Sequence, residues 1–389
     1  MLARRPLTLL VAPMLLLALG GSALAPGAAQ ASGGAAATAT VTTPAPQITS
    51  PAAGATAWSL DKPVIVNVTG GTLTAVTLTA AGGTQVRGGL TPSRWTSTGT
   101  LVPRTSYSLA AVAVGPDGQQ SAVTLPIRTG APAQVLRATI SPNGRTVGVG
   151  RPVVVTFNHS VRRKADVEAA LKVTTSRALG AASWSWTSDR TVQFRPRTFW
   201  PAHLGVKVTA NLRKVHAGPG LWGMQRTDAA FRIGRSFVMR VSNAKHRMTV
   251  TRDGTLLRTL GVSLGKPGFP TRSGTKVIME KYVSHRMNSV TVGITGPEAY
   301  DLDVPYAMRI TASGEFLHGA PWNPYVGIRN HSHGCTNLTL SSAIWVFNRV
   351  LEGDPVVTTG TGRATESWNG LGGVWNVSWT DWVAGSALS

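Results

Sequence analysis

Short runs of β-branched residues, parted by glycine and proline turns, recur from Gln47 onward, and no convincing helix precedes residue 163. Strands of that length bury one face only when a second layer covers it, so a chain punctuated this way builds sandwiches. Residues 63–68 alternate in polarity and stop at Gly70-Gly71. Residues 73–79 are rich in β-branched side chains, and two further runs, 108–114 and 121–127, flank the turn sequence Gly115-Pro116-Asp117-Gly118. Residues 47–130 therefore read as one β-module. Ala131-Pro132 opens a second, 131–235, with strands at 153–157, 191–194 and 206–212. It has room for one short helix, 164–171, and for Trp184, Trp186 and Trp200 as core residues.

A third segment, 236–360, is also mainly strands. Arg252-Asp253-Gly254 reads as a hairpin turn, and strands are expected at 275–282, 306–311 and 354–358. A helix is expected over 340–351, with Thr339 as its N-cap, Gly353 as its stop, and Ile344, Phe347 and Leu351 along one face. The last segment, 361–389, holds four of the twelve tryptophans, at 368, 375, 379 and 382. A solvated tail would not carry that much aromatic surface, so it is expected to pack back on the folded domains.

The chain starts with an address. Arg4 and Arg5 precede an apolar run, 7–19, and Ala29-Gln30-Ala31 resembles a cleavage site. Residues 1–31 thus read as an export signal, with an uncleaved anchor as the alternative, and 32–46 as a linker rich in alanine, threonine and glycine. Export directs attention to the single cysteine, because exported proteins pair their cysteines or avoid them. The charge is +22, from 38 basic and 16 acidic residues, and 29 of the basic residues are arginine. A GC-rich genome explains that bias as well as attraction to an anionic cell wall does. Nucleic acid is not an expected partner, since no basic helix or stacking motif accompanies the charge.

The chemistry gathers in His318-Gly319-Ala320-Pro321-Trp322 and in His331-Ser332-His333-Gly334-Cys335-Thr336-Asn337. A cysteine nucleophile needs a base and an oxyanion pocket, and Gly334 allows backbone N–H groups to turn toward one point. A nearby imidazolium and the helix that follows are expected to favour the thiolate. Three histidines lie within seventeen residues of Cys335, and sequence alone does not choose among them. His333 is too near in the turn for an in-line hydrogen bond, so His318 is the better base. A zinc site from His331, His333 and Cys335, or a buried cysteine among loop histidines, remains open at this point.

The string Ser332-His333-Gly334-Cys335-Thr336-Asn337, with His318 upstream, resembles the signature of YkuD-type L,D-transpeptidases. The segment Val262-Ser263-Leu264-Gly265-Lys266 and the tail from Gly370 to Trp382 are similar to the mycobacterial-type members. The resemblance implies a mainly β fold: two Ig-like sandwiches, a β-rich catalytic domain with one or two short helices, and a Trp-rich tail. It implies that Cys335 attacks the third residue of a peptidoglycan stem, that His318 is the base, and that the N–H groups of His333, Gly334 and Cys335 hold the oxyanion. D-Alanine leaves, and a second stem's amine resolves the thioester into a 3→3 cross-link. Tyr300 is expected in a lid, Ser313 and Gly314 in the donor pocket, Met287 and Trp322 along the same cavity, and Ser332 and Asn337 holding substrate or loop. Gly319 stands where relatives often carry serine, so only its backbone carbonyl is available to orient the imidazole. No cofactor or metal is implied, carbapenem β-lactams are expected covalent inhibitors, and a monomer is expected. A carboxypeptidase acting on the same stems, a decayed wall-binding scaffold and a sortase-like enzyme are the competing functions.

Overall fold

The computed structural model describes residues 43–389. The expected export signal, and most of the expected linker, lie outside the described residues.

The first β-module is two four-stranded sheets. One runs Gln47–Thr49, Ile65–Thr69, Arg94–Ser97, Gly88–Leu90; the other runs Gln85–Val86, Thr72–Ala80, Ser106–Val114, Gln120–Arg128. The period-two pattern decides which side chains go inward: Val64, Val66 and Val68 are buried, as are Leu109, Ala111 and Ala113, around Trp95. The second module repeats the scheme. Ala138–Ser141, Val153–Phe157, Thr191–Pro196 and Ala182–Ser188 form one sheet, and Thr146–Val147, Arg226–Ile233, Leu204–Asn211 and Leu171–Thr175 form the other. Trp184 and Trp200 are buried against Phe194, at ring separations of 5.1 and 5.8 Å. Trp186 joins the same core, half-buried, stacked on Phe157 at 5.7 Å with its indole N–H donating to the Glu168 carboxylate at 2.8 Å. The helix is shorter than expected, Lys164–Ala169.

Two sheets and a helix make the third domain. The larger sheet runs Thr255–Gly261, Arg247–Arg252, Phe237–Ser242, Pro355–Thr359, Gly274–Val277; the smaller runs Glu280–Asn288, Asp301–Arg309, Phe316–Gly319, Thr336–Leu338. Asp253 (φ 48°) and Gly254 (φ 87°) make the two-residue hairpin turn, both in the left-handed region that such turns require. The single strand expected over 275–282 is in fact two strands in different sheets, parted at Ile278 and Met279. A continuous apolar run carries no mark of the change of sheet. The helix is Leu340–Phe347, and Thr339 Oγ1 caps it by accepting the Ser342 N–H. It ends four residues short of the expected 351, with Asn348 and not Gly353 at its C-cap, and its buried residues are Ala343 and Val346, followed by Val350 just past its end, one residue out of phase with the stripe expected from sequence. The two stripes have the same spacing. Small residues win the inward place because the helix lies close on the sheet, and Phe347 instead packs edge-on against Tyr306.

The tail docks on the second module. Trp382 is 1% exposed and donates to the Ser183 carbonyl at 3.0 Å; Trp375 donates to the Gly150 carbonyl at 2.7 Å. The Arg195 guanidinium sits over the rings of Trp375, Trp379 and Trp382 at 5.0, 5.4 and 4.6 Å, and burial pulls its pKa down to about 10. Trp368 is the exception, 70% exposed. Replacing Trp382 with alanine is expected to cost about 3–5 kcal/mol of stability, measured as a lower denaturant midpoint. A midpoint equal to that of the parent would show that the docked tail adds nothing.

Candidate active site

Strand pairing puts the expected nucleophile and the expected base on one face. Phe316–Gly319 and Thr336–Leu338 are parallel neighbours, with His318 opposite Asn337 and Leu317 opposite Thr336. Cys335 is two residues before Asn337, so alternation places both on the side of the sheet that His318 occupies. His318 is 4% exposed, and the Gly319 carbonyl accepts from its Nδ1 at 2.8 Å. That bond fixes the tautomer and leaves Nε2 with the lone pair. Asn337 Nδ2 donates to this lone pair at 2.9 Å, and Asn323 Nδ2 donates in turn to Asn337 Oδ1 at 2.9 Å. Asn323 was not distinguished in the sequence. It belongs to the Pro321-Trp322-Asn323 turn and is 6% exposed.

The loop bearing Cys335 is pinned by the Val262–Lys266 segment. The Leu264 carbonyl accepts from the His331 and Ser332 N–H groups at 2.9 and 3.0 Å, and the Lys266 N–H reaches the Ser332 carbonyl at 2.9 Å. Gly265 lets the chain fold back on itself beside this contact: a Cβ there would lie 1.9 Å from the Phe269 carbonyl oxygen. Gly334 takes φ +126°, open to glycine alone. Ser332 Oγ accepts from the Gly334 N–H at 3.1 Å and donates to the Cys335 carbonyl at 2.6 Å. This turn engages one of the three N–H groups expected to hold an oxyanion, leaving those of His333 and Cys335 for that role.

The resting charge state also departs from expectation. Burial pushes the partly exposed Cys335 thiol up to about 12; a hydrogen bond to the Phe316 backbone lowers it less, Glu315 adds to the rise, and Lys276 and Arg309 oppose it. Burial likewise pulls His318 down to about 4, against a smaller rise from the Gly319 carbonyl. The pair is neutral thiol and neutral imidazole, not thiolate and imidazolium. The helix N-terminus does not act on the sulfur, because strand Thr336–Leu338 intervenes before Leu340. The thiol points instead to the Gly314 carbonyl at 4.0 Å.

Cys335 opens on two cavities. The larger, about 710 Å³, is lined by Ser313, Gly314, Met287, Tyr300, His333 and Gly334 among others. The smaller, about 190 Å³, is lined by His318, Trp322, Ser332, Asn337 and Asn323, and again by Met287, Tyr300 and His333. Every residue singled out in the sequence borders one or both, except Gly319, whose part is the carbonyl behind the imidazole, but Trp322 lines the smaller cavity and not, as expected, the one that holds Ser313 and Gly314. Trp322 is 49% exposed and nearly parallel to the His318 ring at 6.1 Å. Tyr300 is half-buried with its ring 5.0 Å from His333. Glu298, just ahead of it, bridges His333 Nε2 at 2.7 Å and Lys266 Nζ at 2.6 Å and so ties this segment to the nucleophile loop. In the tail, Asn369 grips Ser313 through its N–H and hydroxyl, both at 2.9 Å. His331 is exposed and edge-on to Tyr325. Among the described residues no group of three or more His, Cys, Asp or Glu side chains could hold a metal ion.

Comparison with known proteins gives a consistent set of likenesses. The L,D-transpeptidase catalytic domain family matches residues 236–358, and the bacterial Ig domain family matches residues 55–216. L,D-transpeptidase 2 of Mycobacterium tuberculosis is 34% identical over 352 residues, covering 88% of this chain and 85% of its own length. L,D-transpeptidase 5 of the same species is 32% identical over 357 residues, covering 89% and 78%. A solved L,D-transpeptidase in complex with imipenem matches 59% of this chain and 100% of its own, at 34% identity and a TM-score of 0.51.

Proposed function

Since this chain belongs to the L,D-transpeptidase family, with a YkuD-type catalytic domain behind bacterial Ig domain sequence, we propose that it cross-links peptidoglycan stems 3→3 through a thioester on Cys335. The observation that carries the proposal is the strand register: His318 lies opposite Asn337, two residues after Cys335, and the Gly319 carbonyl holds its Nδ1, which leaves the neutral imidazole a lone pair on Nε2. When the donor tetrapeptide enters, the thiol swings from Gly314 and Asn337 yields the Nε2 lone pair. His318 takes the thiol proton as sulfur attacks the carbonyl of the third residue. The N–H groups of His333 and Cys335 receive the oxyanion. The bond to D-alanine breaks, and its amine leaves with the proton held by His318. A second stem's amine then attacks the thioester, forming the new amide and returning the proton to sulfur.

Tyr300 and Met287, shared by the two cavities, divide a donor side from an acceptor side, with Ser313 and Gly314 on the first and Trp322 on the second. The expected export signal and the two β-modules support action outside the cytoplasm, with the modules as spacers reaching into an anionic wall. The imipenem-bound relative supports carbapenems as covalent inhibitors. Incubation with a disaccharide-tetrapeptide tests the reaction. Mass spectra are expected to show dimers with loss of one D-alanine. Loss of D-alanine with no dimer would make the protein a carboxypeptidase instead, and an unchanged substrate would point to a scaffold.

A further inference from the structure

Four hydrogen bonds run in series through the base. The Tyr325 N–H donates to Asn323 Oδ1 at 3.0 Å, Asn323 Nδ2 to Asn337 Oδ1 at 2.9 Å, Asn337 Nδ2 to His318 Nε2 at 2.9 Å, and His318 Nδ1 to the Gly319 carbonyl at 2.8 Å. The two ends settle the direction of the whole series. A backbone N–H can only donate, and a carbonyl oxygen can only accept. Tyr325 therefore takes the oxygen of Asn323 and turns its amide nitrogen to Asn337, whose own amide nitrogen is left for the imidazole. His318 must meet it with a lone pair. Asn323, Asn337 and His318 are all buried, so water offers no substitute partner. Asn323 bonds neither the imidazole nor the sulfur, and its own N–H is held by the Ala320 carbonyl at 3.0 Å.

We infer that Asn323 is a positioning residue of the reaction: by fixing the polarity of this series it holds His318 as the neutral Nδ1–H tautomer, with Nε2 kept for the thiol proton. The inference rests on the general-base role proposed above and adds the residue that sets it. A ring nitrogen that accepts a hydrogen bond resists a proton, because only the unprotonated nitrogen keeps that bond. Burial acts the same way and pulls His318 down to about 4. The titratable side chains that share its cavity are Tyr300, His331, His333 and Cys335, and among the described residues no carboxylate lines it. On the neighbouring strand Asp301–Arg309, Leu302 and Val304 face that cavity. Asp301 and Asp303 are exposed and paired with Arg286, Tyr306 packs on Phe347, and Arg309 lies over Phe316. Helix Leu340–Phe347, which reaches Gly319 through Leu340, carries no titratable group. No anion is in place to hold an imidazolium, so burial and the amide series set the protonation state together.

Two-bond proton–nitrogen NMR spectra of the histidine-labelled protein test this, with His318→Gln identifying the His318 signals by their absence. In the parent, Nδ1 is expected as the N–H nitrogen and Nε2 as the bare one, with protonation only below about pH 5. Asn323→Asp keeps the shape of the side chain but replaces its donor with a second acceptor. The Asn337 amide must then turn its oxygen to His318, and an imidazolium N–H is the partner that satisfies it. The His318 midpoint should rise by at least about one pH unit, tenfold in proton affinity, the effect of one charge-assisted hydrogen bond. Asn323→Ala frees the Asn337 amide without burying a charge, and should give a smaller rise even if Asn323→Asp does not fold. Acylation by imipenem should be level between pH 8 and 5 in the parent. In Asn323→Asp it should fall about tenfold per pH unit below the raised midpoint, as the base becomes charged. A merely structural role would lower the rate equally at every pH and leave the midpoint in place. A midpoint unmoved in both variants would overturn the inference and leave the general-base reaction standing. A parent protein with an Nε2–H ring, or one that imipenem does not acylate, would overturn the proposed reaction as well.

Discussion

Intact-mass measurement with imipenem should show one adduct on the parent protein, none on Cys335→Ala, and an adduct forming about 10²–10⁴-fold more slowly on His318→Gln. The factor follows from the resting state. With the thiol at about 12, roughly one molecule in 10⁴ carries a thiolate at pH 8, so the sulfur depends on a base at the moment of attack. The imidazole, at about 4, is ready to accept a proton throughout the neutral range. Two pH profiles separate this from a preformed ion pair. Alkylation of the resting protein by iodoacetamide should climb about tenfold per pH unit with no plateau below pH 10, since only the thiolate reacts. Acylation by imipenem should lose nothing to protonation of His318 between pH 8 and 5, because that group charges only as pH falls through about 4. An alkylation plateau at or below pH 7 would mean that an ion pair already exists, and the general-base account would fail. Glutamine at 318 fills the same space without a usable lone pair, so a rate equal to that of the parent would remove His318 from the mechanism.

Legibility followed locality. The cysteine, its serine and its glycine lie within four successive residues, and the turn they form is set by Ser332 bonding both the Gly334 N–H and the Cys335 carbonyl. The base could be chosen because seventeen residues allow a separate strand, although the parallel register of His318 and Asn337 came only with the fold. Asn323, Glu298 and Asn369 went unnoticed because each joins the site from a different turn or from the tail, and the residues they hold there, Asn337, His333 and Ser313, are distant in sequence. The charge state was misjudged because burial is a property of the surroundings, and a string of residues does not state how much water reaches it. The helix face was misjudged for a similar reason: two stripes of equal spacing exist, and the sheet beneath selects the smaller side chains.

Glu315→Ala is expected to destabilise the protein by about 3–5 kcal/mol. Glu315 is 4% exposed. Its Oε1 accepts from the Arg272 N–H and Nη1, both at 3.0 Å, and its Oε2 accepts from Lys276 Nζ at 3.0 Å. Lys276 is fully buried and otherwise donates to the Arg272 carbonyl at 2.6 Å. Without the carboxylate, a buried ammonium is left with backbone alone. Burial already lowers the Lys276 pKa, and Glu315 is the main influence that raises it. In the variant the folded-state value drops further below the unfolded 10.5, so the unfolded chain binds more protons than the folded one. Stability of the variant relative to the parent should then rise with pH, and the deficit should be greatest near neutrality and shrink toward about pH 10. The loss should also reach the reaction, since the Glu315 N–H is held by Thr311 at 2.8 Å and the turn between them carries Ser313 and Gly314. A second change, Lys276→Met, separates charge from packing. If the buried charge is the cause, the double variant recovers part of the stability lost in Glu315→Ala, read as a positive coupling in the double-mutant cycle. Additive losses, or a single-variant loss under about 1 kcal/mol, would show that the carboxylate does not hold the lysine's charge beneath the nucleophile.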